Sequence, residues 1–316
     1  MKKPAAVMIC NMGGPDSINA VRPFLFNLFM DPKIIPMPLN MFLRRMAASI
    51  ISRRRAQSVG LKYSSIGGCS PINKIVESQA EKLNTILGQG YEVFAAMRYW
   101  HPLIINTVAS IWKKGLGKII AVPLYPHYSD VTTGTCAAEI ERCCRQYPEI
   151  KLKIINNYFK HPGFIDAWEM NISLALQRYQ NPDRVFILYC AHAVPQKLVE
   201  REDPYIDQIN GTIKELCARF KNQWDIGYQG QVGPVKWYGI SIKDKIKLLK
   251  ARGISDFIIV PISFTAENLE TMHELDVELK EFAIKNGLKK FHRVECLNDS
   301  DIFINGLSSI IRKDDA

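Results

Sequence analysis

Eight short runs rich in apolar and β-branched residues punctuate the chain, at 7–11, 93–97, 118–125 and 152–156, then at 185–190, 224–229, 257–264 and 291–296. Longer stretches with apolar residues at helical spacing separate them. Strands alternating with helices predict parallel sheets built from βαβ units. The runs form two sets of four that echo one another. The stretch from Gly117 to Leu124 matches that from Asp256 to Ser263, and their Val-Pro pairs lie 138 residues apart (260 minus 122). The first strands, at Val7 and Val185, lie 178 apart, so the first half carries 40 extra residues (178 minus 138). That excess predicts an insertion at 32–74 on an otherwise duplicated module. The expected fold is α/β: two Rossmann-like, doubly wound parallel-sheet domains related by internal duplication, at 1–156 and 157–316. The last helix is expected to pack back on the first domain.

Composition narrows the class. Apolar content of 47% and charged content of 23% are ordinary for a globular protein, which excludes a disordered or collagenous chain. No run approaches the ~18 apolar residues that span a bilayer. Lys2 and Lys3 before an apolar stretch imitate a signal peptide, but no small-x-small cleavage site follows, so a buried first strand and a cytoplasmic protein are expected. The eight cysteines fit that compartment, because they sit on apolar segments without paired disulfide spacing.

Charge changes the picture at one place. Between Asp31 and Glu77 there is no acid, while Lys33, Arg44, Arg45, Arg53, Arg54, Arg55, Lys62 and Lys74 all fall there. Within that stretch Leu39, Phe42, Leu43, Met46, Ile50 and Ile51 form one helical stripe. A Met- and Phe-bearing stripe with a basic flank suits a helix on an anionic membrane or against a ligand. The other reading is a helix packed on the core with solvated arginines. Nucleic acid is not an expected partner, since polar base-reading residues and a binding motif are both missing.

In doubly wound folds ligands bind beyond the carboxyl ends of the strands. Asn11-Met12-Gly13-Gly14 follows the first strand without the G-x-G-x-x-G of a dinucleotide site. Thr132-Thr133-Gly134-Thr135 opens a helix, first as a cap and second as an anion site. His192 stands directly beyond a buried strand, where a neutral imidazole can accept a proton near pH 7. Glu267, Glu270 and Glu274 stand at i, i+3 and i+7, which predicts one helical face. Three carboxylates with no Lys interleaved repel unless a cation or protons join them. A solvated acidic helix start is the alternative.

Several motifs together resemble the ferrochelatase family, in that family's order. They are Asn11-Met12-Gly13-Gly14-Pro15-Asp16, Tyr63 with Ile66-Gly67-Gly68-Cys69-Ser70-Pro71, Met97-Arg98-Tyr99, and Pro123-Leu124-Tyr125-Pro126 with Thr132-Thr133-Gly134. Ala191-His192-Ala193-Val194-Pro195, residues 228–237 reading YQGQVGPVKW, and Val260-Pro261-Ile262-Ser263-Phe264 with Leu269-Glu270-Thr271 complete the set. The resemblance implies insertion of Fe²⁺ into a porphyrin, usually protoporphyrin IX, in a cleft between the two domains. It implies His192 as acceptor of a pyrrole proton, Glu270 as its acidic partner, and both as transient metal contacts. Glu267, Asn268 and Glu274 match a proton or metal path. Met12, Tyr63, Ser70, Arg98, Tyr99 and Trp237 match residues around the macrocycle, and Arg54 and Arg55 are candidates for its propionates. The basic segment at 37–55 matches a lip that dips into the membrane, which makes the protein cytoplasmic or peripheral at the inner membrane face.

The chemistry suits these residue types. Metal insertion releases two protons, so a base and a carboxylate relay belong beside the ring. Fe²⁺ is substrate here, and no resident cofactor is expected. A [2Fe–2S] cluster needs four converging thiolates; residues 297–316 hold no Cys, and Cys136, Cys143 and Cys144 share one predicted helix. Three positions depart from the family pattern: Asn268 replaces a common His, Ala193 a usual Gly or Ser, and Cys69 a common Gly. Coproporphyrin III as substrate, or a porphyrin carrier without catalysis, are the competing readings. Oligomeric state is not legible.

Overall fold

The computed structural model describes residues 4–36, 39–231, 233, 235–288 and 290–315. The chain divides into two compact units: 1–125 with 129–157 and 308–316, and 126–128 with 158–307.

The first unit is a four-stranded parallel sheet of β1 (Ala5–Asn11), β2 (Tyr91–Met97), β3 (Lys118–Pro123) and β4 (Lys151–Ile154), in the order β2-β1-β3-β4. Its helices are α1 (Val21–Met30), α2 (Met41–Ser64), α3 (Ile72–Leu87), α4 (Ile104–Lys113) and α5 (Thr133–Cys144). Ala6–Cys10 are fully buried, which is why β1 reads as an unbroken apolar run rather than an alternating one. Met8, Ala121 and Ile119 pack one face of the sheet against Ile104, Ile111, Cys136 and Ile140.

The second unit repeats the plan. It holds α6 (Pro162–Leu176), β5 (Phe186–His192), α7 (Gln196–Val199), α8 (Tyr205–Cys217), β6 (Trp224–Gln229) and α9 (Ile242–Ala251). Then come β7 (Phe257–Val260), a π-helix (Glu270–Leu279), α10 (Lys280–Lys285), β8 (His292–Arg293) and the start of α11 (Asp301–Asp315), whose residues from 308 on belong to the first unit. All strand pairs are parallel, in the order β6-β5-β7-β8. That order matches the first sheet strand for strand, as a duplication requires. α6 and α11 cross at Gly163 and Gly306, where a Cβ on Gly163 would stand 2.4 Å from the Gly306 Cα.

Four expected strands, β3, β4, β7 and β8, end earlier in the structure than their apolar runs. β3 ends at Pro123 and β7 just before Pro261, because proline has no N–H to continue the ladder. The freed residues become the loops where the candidate site lies. α11 ends among residues of the first unit. Asp315 accepts from Tyr91 Oη at 2.8 Å and pairs with Lys118, while Arg312 donates to the Ile86 and Leu87 carbonyls at the C-terminus of α3.

The acid-free segment forms α1's partner, α2. Asn40 caps it by accepting from Leu43 N at 2.9 Å. Its apolar stripe is not core: Met41 and Phe42 are 71% and 70% exposed, and Leu43, Met46 and Ile50 are exposed too. Arg44 is not solvated, as the core-packed alternative would have it, but buried, and it donates to the Ile35 carbonyl at 2.9 Å. Met37 and Pro38 of the predicted lip lie outside the described residues. Among the described residues no helix is long and apolar enough to cross a membrane.

Candidate active site

In the first unit the site residues gather beyond the carboxyl ends of β1 and β2. Arg98 N donates to the Asn11 carbonyl and Tyr99 N to that of Met12, so the two strands continue together past their formal ends. Gly13 turns the chain at φ +77°, and Gly14 lies so close to Ser70 that a Cβ there would meet its Oγ at 2.4 Å. Ser70 is buried, its N–H donates to the Pro15 carbonyl, and its Oγ accepts from Ile72 N at 3.4 Å. Its hydroxyl therefore helps start α3. Tyr63 is buried as well, and its carbonyl accepts the N–H groups of Ile66 and Gly68.

The residue that organises this group is one the sequence reading missed. Asp31, at the end of α1, is buried and accepts from Arg98 Nη2 at 2.7 Å, Tyr99 Oη at 3.0 Å and Lys33 N at 2.9 Å. Arg98 lies over the Tyr99 ring, 4.9 Å from its centroid. Burial, reinforced by the Asp31 charge, holds the Tyr99 phenol far above its usual range, so it stays a donor. Arg98 keeps a buried Nε without a partner among the described residues. A signal did exist: Asp31 is the last acid before the long acid-free stretch. Arg54 and Arg55 stand exposed on α2, and Arg55 lies 5.9 Å from the Phe29 ring centroid.

In the second unit His192 is the last residue of β5. Its N–H donates to Ser263 Oγ at 3.0 Å and its carbonyl accepts from Tyr205 Oη at 3.1 Å. The ring Nδ1 lies 2.8 Å from the Ala193 carbonyl. A carbonyl only accepts, so Nδ1 carries a hydrogen, and in the neutral ring the lone pair is on Nε2. Gly230, at φ +78°, lies flat against the imidazole; a Cβ there would be 2.8 Å from Nε2. Phe264 meets the ring edge-on at a centroid distance of 6.2 Å. The local structure thus fixes both the tautomer and the orientation of the base. Trp237 pairs with Pro195 through an antiparallel bridge and buries an indole N–H that has no partner among the described residues.

The acidic row differs from its predicted form. The π-helix begins at Glu270, so Glu267 stands ahead of it, and the three carboxylates do not share a helical face. Glu267 Oε1 accepts from Arg293 Nη1 at 2.8 Å and Cys296 N at 3.0 Å, while Thr271 Oγ1 donates to Oε2. The cation that joins this row is thus the protein's own guanidinium, at least for Glu267. Glu270 and Glu274 remain on the π-helix, four residues apart and on neighbouring turns of its wider spiral. Glu270 makes no ion pair among the described residues. The Glu274 charge, after burial itself, raises the thiol of Cys190 on β5.

Asn268 is buried, and its Oδ1 accepts from Thr271 N at 3.0 Å while Thr271 Oγ1 accepts from Asn268 N at 3.0 Å. This reciprocal pair fixes the turn that leads into the helix carrying Glu270. Among the described residues no three His, Cys, Asp or Glu side chains stand together as a metal cage. Of the cysteines, burial pushes Cys143 and Cys144 up to about 11.

The family model described as Ferrochelatase matches residues 4–315. A relative named Ferrochelatase from Geobacter metallireducens is 38% identical over 315 residues, covering 99% of each chain. One of that name from Synechocystis is 38% identical over 319 residues, covering 96% of this chain and 81% of its own. Among solved structures, SirB from Bacillus subtilis with Fe³⁺ aligns at a TM-score of 0.57 and 12% identity, covering 99% and 95% of the two chains. CbiX, described as the terminal enzyme of sirohaem biosynthesis in denitrifying bacteria, aligns at 0.56 and 12% identity over 98% of each. At that identity the two structures speak for the fold, and they share its two-domain chelatase plan. The sequence matches go further: this chain belongs to the ferrochelatase family.

Proposed function

We propose that this chain inserts Fe²⁺ into protoporphyrin IX, forming protohaem and releasing two protons. Family membership already makes it a metal chelatase acting on a porphyrin. The observation that carries the catalytic reading is the His192 imidazole, with Nδ1 tied to its own neighbour's carbonyl and Nε2 left as the base. That nitrogen takes one pyrrole proton as the metal–nitrogen bonds form, Glu270 takes the other, and both protons then pass to solvent. Arg98, oriented by Asp31, and Tyr99 support the macrocycle, with Met12 and Trp237 supplying apolar contact. Glu274 continues the carboxylate route along the π-helix. Fe²⁺ enters as substrate through a few transient ligands, and no resident cofactor takes part.

The exposed stripe of α2, with Met41, Phe42, Met46 and Ile50 among Arg45, Arg53, Arg54 and Arg55, supports a peripheral seat on an anionic membrane. A protein so placed would work at the inner face of the cytoplasmic membrane, where an apolar porphyrin dissolves. Replacing Phe42 and Met46 by Ser should weaken binding to vesicles containing an anionic lipid.

Anaerobic incubation with Fe²⁺ and either protoporphyrin IX or coproporphyrin III, followed by absorbance, tests the whole reading. Faster turnover of protoporphyrin is expected. A preference for coproporphyrin would move the substrate while keeping the base. Porphyrin binding without metal insertion in either case would reduce the protein to a carrier.

A further inference from the structure

Arg293 lies far in sequence from His192, yet it touches both ends of the segment that carries Glu270. It is anchored in the sheet, since β8 pairs with β7 at Ile259↔Arg293 and Val294 N donates to the Ile259 carbonyl. From there its side chain, only 7% exposed, grips Asp276 with two prongs, Nε to Oδ1 at 2.8 Å and Nη2 to Oδ2 at 2.6 Å. Its Nη1 reaches Glu267 Oε1 at 2.8 Å. Glu267 precedes the π-helix and Asp276 sits on its second turn, so one guanidinium bridges the ends of the first turn.

A π-helix needs such a hold. Its i→i+5 bonding is rare and appears where the surroundings maintain it. Here the backbone between β7 and the helix is pinned at Glu267 by Arg293, Cys296 N and Asn298, the last accepting from Glu267 N at 3.0 Å. Burial works against the Arg293 charge, but Asp276 and then Glu267 more than offset it, and the guanidinium is held above its usual range. Lysine cannot reproduce that geometry, because its ammonium is a point charge without a planar fork.

We propose that Arg293 is a positioning residue for metal insertion: it clamps Glu267 to Asp276 and so fixes the turn that presents Glu270 and Glu274. This rests on the chelatase reading above and assigns Glu267 to the clamp rather than to the metal path. A side chain displaced by about 1 Å can slow an enzyme on the order of a hundredfold. Loss of the clamp should therefore lower kcat while leaving porphyrin affinity alone.

The test uses the full chain with Arg293→Lys, and a triple variant, Arg293→Met with Glu267→Gln and Asp276→Asn, that leaves no buried charge unpaired. Turnover per folded molecule, KM for Fe²⁺, porphyrin Kd by fluorescence quenching and amide hydrogen exchange over 268–276 are measured below the melting temperature. For Arg293→Lys the expected result is a kcat lower by about tenfold or more, an unchanged porphyrin Kd, and exchange faster by at least about tenfold across that segment. A lower melting temperature with kcat and exchange both within twofold of wild type would overturn the clamp and leave Arg293 purely structural. The triple variant decides in the same way if the lysine variant does not fold. An inactive wild type would sink the chelatase reading alone, since hydrogen exchange still decides the clamp.

Discussion

Replacing Gly230 by alanine probes the orientation of the proposed base with one methyl group. The added Cβ would lie 2.8 Å from His192 Nε2 and 3.1 Å from Cε1, whereas ordinary contact begins at 3.4 Å. The ring must then retreat by about 0.6 Å (3.4 minus 2.8), or the backbone must yield. Because about 1 Å of misplacement costs on the order of a hundredfold in rate, a kcat loss of about tenfold or more is expected. The same change also places alanine at φ +78°, a strain of roughly 1–2 kcal/mol. Gly233 supplies the control, since its φ is +76° but nothing among the described residues lies within 4 Å of its would-be Cβ. Gly233→Ala should therefore share the strain, a melting shift of a few degrees, without touching His192. The assay is kcat and porphyrin Kd for both variants, with folded fraction checked by circular dichroism. If Gly230→Ala turns over within twofold of Gly233→Ala, the close packing on His192 does not govern the base.

Three further outcomes follow from other sites. Asp31→Asn removes the charge that holds Arg98 and Tyr99, so porphyrin affinity by fluorescence quenching should fall about five- to tenfold; an unchanged Kd would take that pair out of the binding surface. His127 is buried with Phe164 and Tyr205 around it, and burial depresses its pKa to about 3. The unfolded chain binds its proton near pH 6.5 and the folded one does not, so stability should fall by roughly 1.4 kcal/mol per pH unit between about 6.5 and 3; His127→Gln should flatten that slope in urea titrations. Gly163→Ala should destabilise the second unit by roughly 1–3 kcal/mol, since the α6–α11 crossing has no room for a methyl; a melting temperature equal to wild type would mean that the helices separate at little cost.

The fold was legible because its two determinants are local. Strand runs buried on both faces give unbroken apolar segments, and the displaced Val-Pro repeat exposes the duplication. The position of His192 followed from its place at a strand end. What stayed hidden depends on contacts between distant residues or on backbone form. Arg293 and Glu267 are far apart in sequence, so a row of acids looked unpaired when it was not. The π-helix uses residues that an α-helix would equally accept, and only tertiary restraint selects it. On α2 the apolar stripe was visible with two readings, surface and core, and only the structure shows it exposed, because periodicity marks a face without saying what covers it.

The pairing of residues 308–315 with the first unit has a consequence for synthesis. Asn157 and Ser308 bracket nearly the whole second unit, so the ribosome must make that unit before the first receives its last two or so helical turns. At about 5–20 residues per second, the wait is on the order of ten seconds. During it the carbonyls of Ile86 and Leu87 have no Arg312, and Tyr91 and Lys118 have no Asp315. The nascent first unit therefore passes through a stage in which one edge is open to chaperones or proteases. The order of translation runs against the usual N-terminal-first completion of domains, and the second unit is finished before the first is closed.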